Sequence, residues 1–310
     1  GLVSLIEQGL IGNAAVGGGS WLVIEADESD GSIVQYKPAV GLLLNIDKDH
    51  KEIEALMDIF RKFRDNSGLF ITNRSHALSA SLSTDASRDF SVGEGKGAGY
   101  QATDFEQEGL QIRFRINGVP FTLQTLGTHN MENALAAASA AHQLGVPLET
   151  AAEALAVYKG IYRRHQVFGR KGGVWLIDDY AHNPVKCARS IQACQPLAGK
   201  VVAWLQPHGY APTKFLRHDF VQEIASVLRP QDEIWMSEIF YAGGTTIKDI
   251  SAEDLVNDIR GLGRNAYFVP DRADLLGRMR PHLANDSVLL LMGARDPSLE
   301  AFAAHVWHEL

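Results

Sequence analysis

The sequence predicts an α/β fold in two domains, and three observations carry that expectation. Short apolar runs alternate with segments of helical spacing along most of the 310 residues. That length exceeds the usual single core and fits two domains of roughly 150 residues each. Chemistry-bearing polar residues collect just after the apolar runs, where parallel sheets place their ligands. The composition is globular, 45% hydrophobic, and no apolar run is long enough to span a bilayer. A net charge of -8 disfavours general nucleic-acid or membrane binding while leaving a local phosphate site open. Cys187 and Cys194, seven residues apart in a helical pattern, read as free structural thiols in a reducing cytoplasm. The chain starts without Met and inside a helical pattern (Leu2, Leu5, Ile6), so the start reads as cut.

The first element is Trp21-Leu22-Val23-Ile24, expected as a buried strand discharging into Glu25-Ala26-Asp27-Glu28-Ser29-Asp30. Carboxylates packed this densely repel one another unless a cation or helix N-terminus compensates them. The stretch is therefore a metal site or a solvated acidic turn: calcium-loop spacing is absent, and magnesium needs only one or two protein carboxylates. A second apolar run, residues 39–47, leads to Asp49 and His50. A short crossover would lay the two strands parallel and bring His50 towards Glu25.

Ile53, Leu56, Met57, Ile59, Phe60 and Phe63 recur at helical spacing, Asn66-Ser67-Gly68 stops that helix, and residues 69–73 form the next strand. From residue 90 to 126 the period becomes two, with a hairpin turning at Asn117-Gly118. The glycine-rich residues 93–99 lack the Gly-Lys-Ser/Thr ending of a phosphate loop and read as a flexible turn. Gly127-Thr128-His129-Asn130-Met131-Glu132-Asn133 opens an alanine-rich helix to about residue 144, followed by a second helix over 148–158. Thr128 or Asn130 could cap it, but two amides three residues apart with a His also suit hydrogen bonds to a heterocycle. Residues 159–166 read as the linker. Beyond it lie five apolar strands, at 174–177, 201–205, 233–236, 266–269 and 287–291, separated by helical patterns: a doubly wound domain. Four of these strands end in polar clusters, including Asp178-Asp179-Tyr180-Ala181-His182, Gln206-Pro207-His208 and Gly293-Ala294-Arg295-Asp296. Chance supplies one or two such ends; four mark a ligand edge.

Taken in order, the acidic turn, Asn45-Ile46 with Asp49-His50, Gly127-x-His129-Asn130-x-x-Asn133, Arg163-Arg164, Asp178-Asp179-Tyr180-x-His182-x-Pro184 and Gln206-Pro207-His208-x-Tyr210 resemble the Mur ligases. The likeness is greatest to the alanine-adding branch and runs from about residue 20 to the C-terminus. It implies an incomplete P-loop-type central domain with an antiparallel hairpin region (1–161, lacking its phosphate-binding loop) and a C-terminal Rossmann-like doubly wound domain (162–310), their carboxyl edges facing across a hinge near residues 160–164. It also implies a cytoplasmic, ATP- and Mg²⁺-dependent ligase. Such an enzyme joins an amino acid or peptide to a UDP-N-acetylmuramate-like carboxylate through an acyl phosphate in peptidoglycan synthesis, with no nucleic-acid partner and no membrane insertion. By that resemblance Glu25 and His50 hold the metal and γ-phosphate, and Asn130 and Asn133 the adenine side. Arg163 or Arg164 takes the phosphates and Asp178 or Asp179 the ribose, while Tyr180, His182 and His208 face the nucleotide or the incoming amino acid. Without the loop and the sugar-binding domain that precede it in the family, this chain alone is expected to be inactive.

Two departures stand out: Gly209, Ala211, Pro212 and Lys214 replace the arginines of the alanine-adding branch, which bears on the amino-acid substrate, and Arg295 interrupts a Gly-Ala-Gly pattern. The alternative is a non-catalytic relative binding a nucleotide, a cell-wall precursor or a partner protein. Retention of Glu25, His50, Asn130 and Asp178 together weighs against it. A nicotinamide dehydrogenase is excluded because no Gly-x-Gly-x-x-Gly follows the first strand of either domain.

Overall fold

A computed structural model describes residues 18–47, 52–241, 243, 245 and 247–310. It divides into two compact units: one holds the described residues up to Gln107 together with Gln111–Lys159, the other Glu108–Leu110 and Gly160–Leu310.

In the first unit, β1 (Val40–Leu43) pairs in parallel with β2 (Leu69–Thr72). The helix Ile53–Asn66 connects them and buries Leu56, Met57, Phe60 and Phe63, the stripe that the spacing of the apolar residues demands. A four-stranded sheet follows, in the order β3 (Phe90–Val92), β4 (Tyr100–Glu108), β5 (Gln111–Ile116), β6 (Val119–Leu123). The β5–β6 hairpin turns at Asn117 (φ 48°) and Gly118 (φ 86°), both left-handed as a two-residue hairpin turn requires. Alternating inward residues Ile112, Phe114, Ile116, Phe121 and Leu123 pack against Met131, Ala134, Leu135 and Ala138 of the helix Thr128–Gln143. The helix Leu148–Ala156 completes the unit.

The expected strand at Trp21-Leu22-Val23-Ile24 does not form. These residues are irregular and 56%, 85%, 91% and 51% exposed. A parallel strand exists only through its ladder, and among the described residues β1 and β2 pair with each other alone. An apolar run without a neighbour strand stays in solvent whatever its propensity.

The second unit is a six-stranded sheet in the order β11 (Asn265–Phe268), β10 (Glu233–Met236), β9 (Lys200–Gln206), β12 (Ser287–Gly293), β8 (Val174–Asp179), β7 (Gln166–Lys171). All neighbours are parallel except β7–β8. Every residue of β12 is buried, in keeping with its near-continuous apolar run at the sheet centre. The antiparallel edge strand β7 was not foreseen. Its Gly169 and charged residues mask the pattern, although Gly172-Gly173, both with positive φ, is a hairpin signal. A Cβ at Gly169 would lie 2.7 Å from the Trp307 ring, so glycine lets the helix Leu299–Glu309 approach this strand. Cys187 and Cys194 are free and fully buried, as expected for structural thiols.

Candidate functional site

The carboxyl edge of the six-stranded sheet gathers most of the singled-out residues. Asp178 and Asp179 are the last two residues of β8 and alternate to opposite faces. Both are buried, at 3% and 5% exposure, which no stretch of polar sequence announces. Arg163 reaches Asp178 through Nε at 2.8 Å and Nη2 at 3.3 Å, and Nη2 also donates to the Gly293 carbonyl at 3.0 Å. Burial pushes the Asp178 carboxyl above its usual range, against the pull of Arg163. On the other face, His165 Nε2 lies 3.7 Å from Asp179 and 3.0 Å from Ser190 Oγ. Arg163 thus ties the chain entering the unit to two adjacent strand ends, and the Tyr180 amide returns a hydrogen bond to the Arg163 carbonyl at 2.7 Å.

Arg164, next in the chain, is exposed and lies 4.9 Å over the Tyr180 ring. Tyr180 meets His182 edge-on at 5.6 Å, and His182 lies 5.3 Å from His208. Arg164, Tyr180, His182 and His208 therefore form one line, with the imidazoles meeting between the ends of β8 and β9. Two residues before His208, Gln206 Oε1 accepts from Arg272 Nη1 at 2.9 Å; the same guanidinium donates to Asp296 at 2.8 Å and to Ser298 Oγ at 2.7 Å. Burial raises the Asp296 carboxyl, but the Ser298 hydroxyl and amide together with Arg272 outweigh it and hold the group below its usual range. The Arg272 network escaped sequence reasoning because its members lie far apart in the chain. Lys214 is paired with Asp249.

In the first unit the predicted residues are more scattered. Glu25 is exposed on an irregular segment, while Asp27 and Asp30 accept backbone hydrogen bonds from Ser29 and Ser32 at 2.8 Å and 2.7 Å. For these two acids the turn reading holds. His50 lies outside the described residues. Asn130 turns its amide back on the chain that enters the helix, donating to Leu126 O at 2.7 Å and Thr125 Oγ1 at 2.9 Å, whereas Asn133 is exposed. Glu132 between them receives His76 Nε2 at 3.1 Å beside buried Asn73, a pairing that sequence reasoning missed. Among the described residues no group of three or more His, Cys, Asp or Glu gathers to hold a metal. The single exposed carboxylate of Glu25 fits a magnesium ion that takes its other ligands from phosphate and water.

Two family descriptions match the chain: the Mur ligase middle domain over residues 8–141 and the Mur ligase glutamate ligase domain over residues 163–295. The chain belongs to the Mur ligase family. Among its relatives, the UDP-N-acetylmuramate–L-alanine ligase of an Anaeromyxobacter species is 33% identical over 298 residues, covering 92% of this chain and 64% of the relative. That of a Geobacter species is 32% identical over 300 residues, covering 91% and 64%. The chain thus spans just under two thirds of the length of the curated relatives it matches. The fold is also that of the UDP-N-acetylmuramate-alanine ligase MurC of Thermotoga maritima, with a TM-score of 0.70, 22% identity and coverage of 91% of this chain and 62% of that one. MurF of Acinetobacter baumannii gives 0.69, 20%, 90% and 62%.

Proposed function

We propose that the protein is an ATP-dependent carboxylate–amine ligase of the Mur type, joining an amino acid or peptide to a UDP-N-acetylmuramate-like carboxylate in peptidoglycan precursor synthesis. The observation that carries this reading is the line Arg164–Tyr180–His182–His208 at the edge of a sheet whose strand ends are locked by Arg163 and Arg272. Acyl-phosphate chemistry asks for positioned cations and proton-handling groups more than for a covalent nucleophile.

In this reading Glu25, with His50, holds Mg²⁺, which when bound neutralises the transferring phosphate. Asn133 and Asn130 serve the adenine. Exposed Arg164, oriented on the Tyr180 face, meets phosphate. Arg163 acts behind it through Asp178, and a ribose contact falls to Asp178 or Asp179 only through an oxygen the buried pairs leave open. His182 and His208 face the amine that attacks the acyl phosphate, and either imidazole can take the proton it sheds.

The test, made on a full-length version that carries the phosphate loop, supplies ATP, Mg²⁺, UDP-N-acetylmuramate and each amino acid in turn, following ADP release and the mass of the nucleotide-linked product. Release that depends on both the carboxylate and an amino acid is expected. Its absence across the panel would overturn the reading.

A further inference from the structure

Arg295 sits at φ 65° in the loop leaving β12, a left-handed conformation that glycine holds freely and a residue with a Cβ does not. The loop has no freedom to relax around it. Behind it, the Gly293 carbonyl is held by Arg163. Ahead of it, the Asp296 amide bonds the Ala294 carbonyl at 2.8 Å, and the Asp296 carboxylate is fixed by Arg272, the Ser298 amide and the Ser298 hydroxyl. Strain that surroundings maintain in this way is characteristic of positions that present a side chain for use.

Register places that side chain's backbone. β12 lies between β9 and β8, with Gly293 opposite Gln206 and Met292 opposite Asp179. Arg295 therefore follows its strand by the same two residues that His208 follows Gln206, and His182 leaves the other neighbour at a similar distance. The two imidazoles, carried by the loops that leave the strands on either side of β12, meet at 5.3 Å. Other cations of the edge are committed. Arg163 is held by Asp178, Arg272 by three acceptors and Lys214 by Asp249; Arg164 lies on Tyr180, and Lys248 lies 4.3 Å from the Tyr241 ring. Arg295 is exposed and, among the described residues, has no hydrogen-bond, ion-pair or ring partner.

We infer that Arg295 is the residue that reads the carboxylate of the incoming amino acid, holding its amine beside His182 and His208. The inference rests on the ligase reading above. Guanidinium suits this task because its planar fork matches a carboxylate with two parallel hydrogen bonds.

The test compares, in a full-length version that carries the phosphate loop, wild type with Arg295→Gly and Arg295→Lys, using whichever of the twenty L-amino acids releases ADP fastest and the α-carboxamide of that amino acid. Arg295→Gly keeps the loop conformation, so its melting temperature should match or exceed that of wild type. Its KM for the amino acid should rise about 10- to 100-fold, the effect of losing a charged hydrogen-bond pair, with KM for ATP unchanged. It should also lose the preference for amino acid over carboxamide, and Arg295→Lys should recover part of both. An unchanged amino-acid KM in an active Arg295→Gly, or parallel losses for every substrate, would overturn the inference alone. A wild type that releases no ADP would overturn the ligase reading and this inference with it.

Discussion

Arg163 occupies a left-handed φ of 53° with a side chain 10% exposed, and its partner Asp178 is 4% exposed. Removing one member of a buried pair leaves the other charge uncompensated, so Arg163→Ala should lower stability by about 3–5 kcal/mol in urea unfolding. Arg163→Lys should recover only part of this, because an ammonium carries its donors on one nitrogen and lacks the planar fork that meets both Asp178 oxygens. The carboxylates at this edge respond to pH with opposite signs. Asp296 has a lowered folded pKa, so its contribution is present above the unfolded value of about 3.9 and is lost as pH falls through the folded one. Asp178, raised by burial, loses its contribution as pH rises from about 3.9 through its folded value. Urea midpoints between pH 3 and 7 should therefore show the stability gap between wild type and Asp296→Asn closing in acid.

Among the elements, the helix Pro184–Cys194 that follows the Asp178-Asp179 strand begins with Asn183, whose side chain accepts from the Lys186 amide at 2.9 Å. Asn183→Ala should cost about 0.5–2 kcal/mol, read as a shift in thermal midpoint. The glycine-rich turn before β4 is a second case. A Cβ on Gly99 would fall 1.7 Å from the Ser87 carbonyl, whereas Gly97, with φ 67°, opens onto free space. Gly99→Ala should destabilise by about 1–3 kcal/mol and Gly97→Ala by about 1 kcal/mol, with ATP-dependent activity per folded molecule unchanged in both if this is a turn and not a phosphate loop. Elements whose signals are local were legible. The Asn117-Gly118 hairpin, the amphipathic Ile53–Asn66 helix and the five parallel strands of the second unit stand where their periodicity puts them. Trp21-Leu22-Val23-Ile24 failed because strand formation needs a neighbour, and β7 was hidden because an edge strand need not look apolar.

For the molecule as a whole, Glu25→Ala in a full-length version should abolish ADP release if the acidic turn supplies the metal ligand, and unchanged turnover would remove Glu25 from that role. The chain carries the two Mur ligase domains in sequence, and no helix among the described residues is long and apolar enough to cross a membrane. The order of motifs along the chain determined the family, because spacing and turn chemistry act over a few residues and survive in the sequence itself. The candidate residues were legible too, but not their standing. That Asp178 is locked while Arg164 and Arg295 are exposed depends on contacts such as the one between Arg163 and Gly293, 130 positions apart. Which polar group is spent on holding strand ends together, and which is left for a ligand, is settled by the backbone that distant segments bring alongside, and only the tertiary structure decides that.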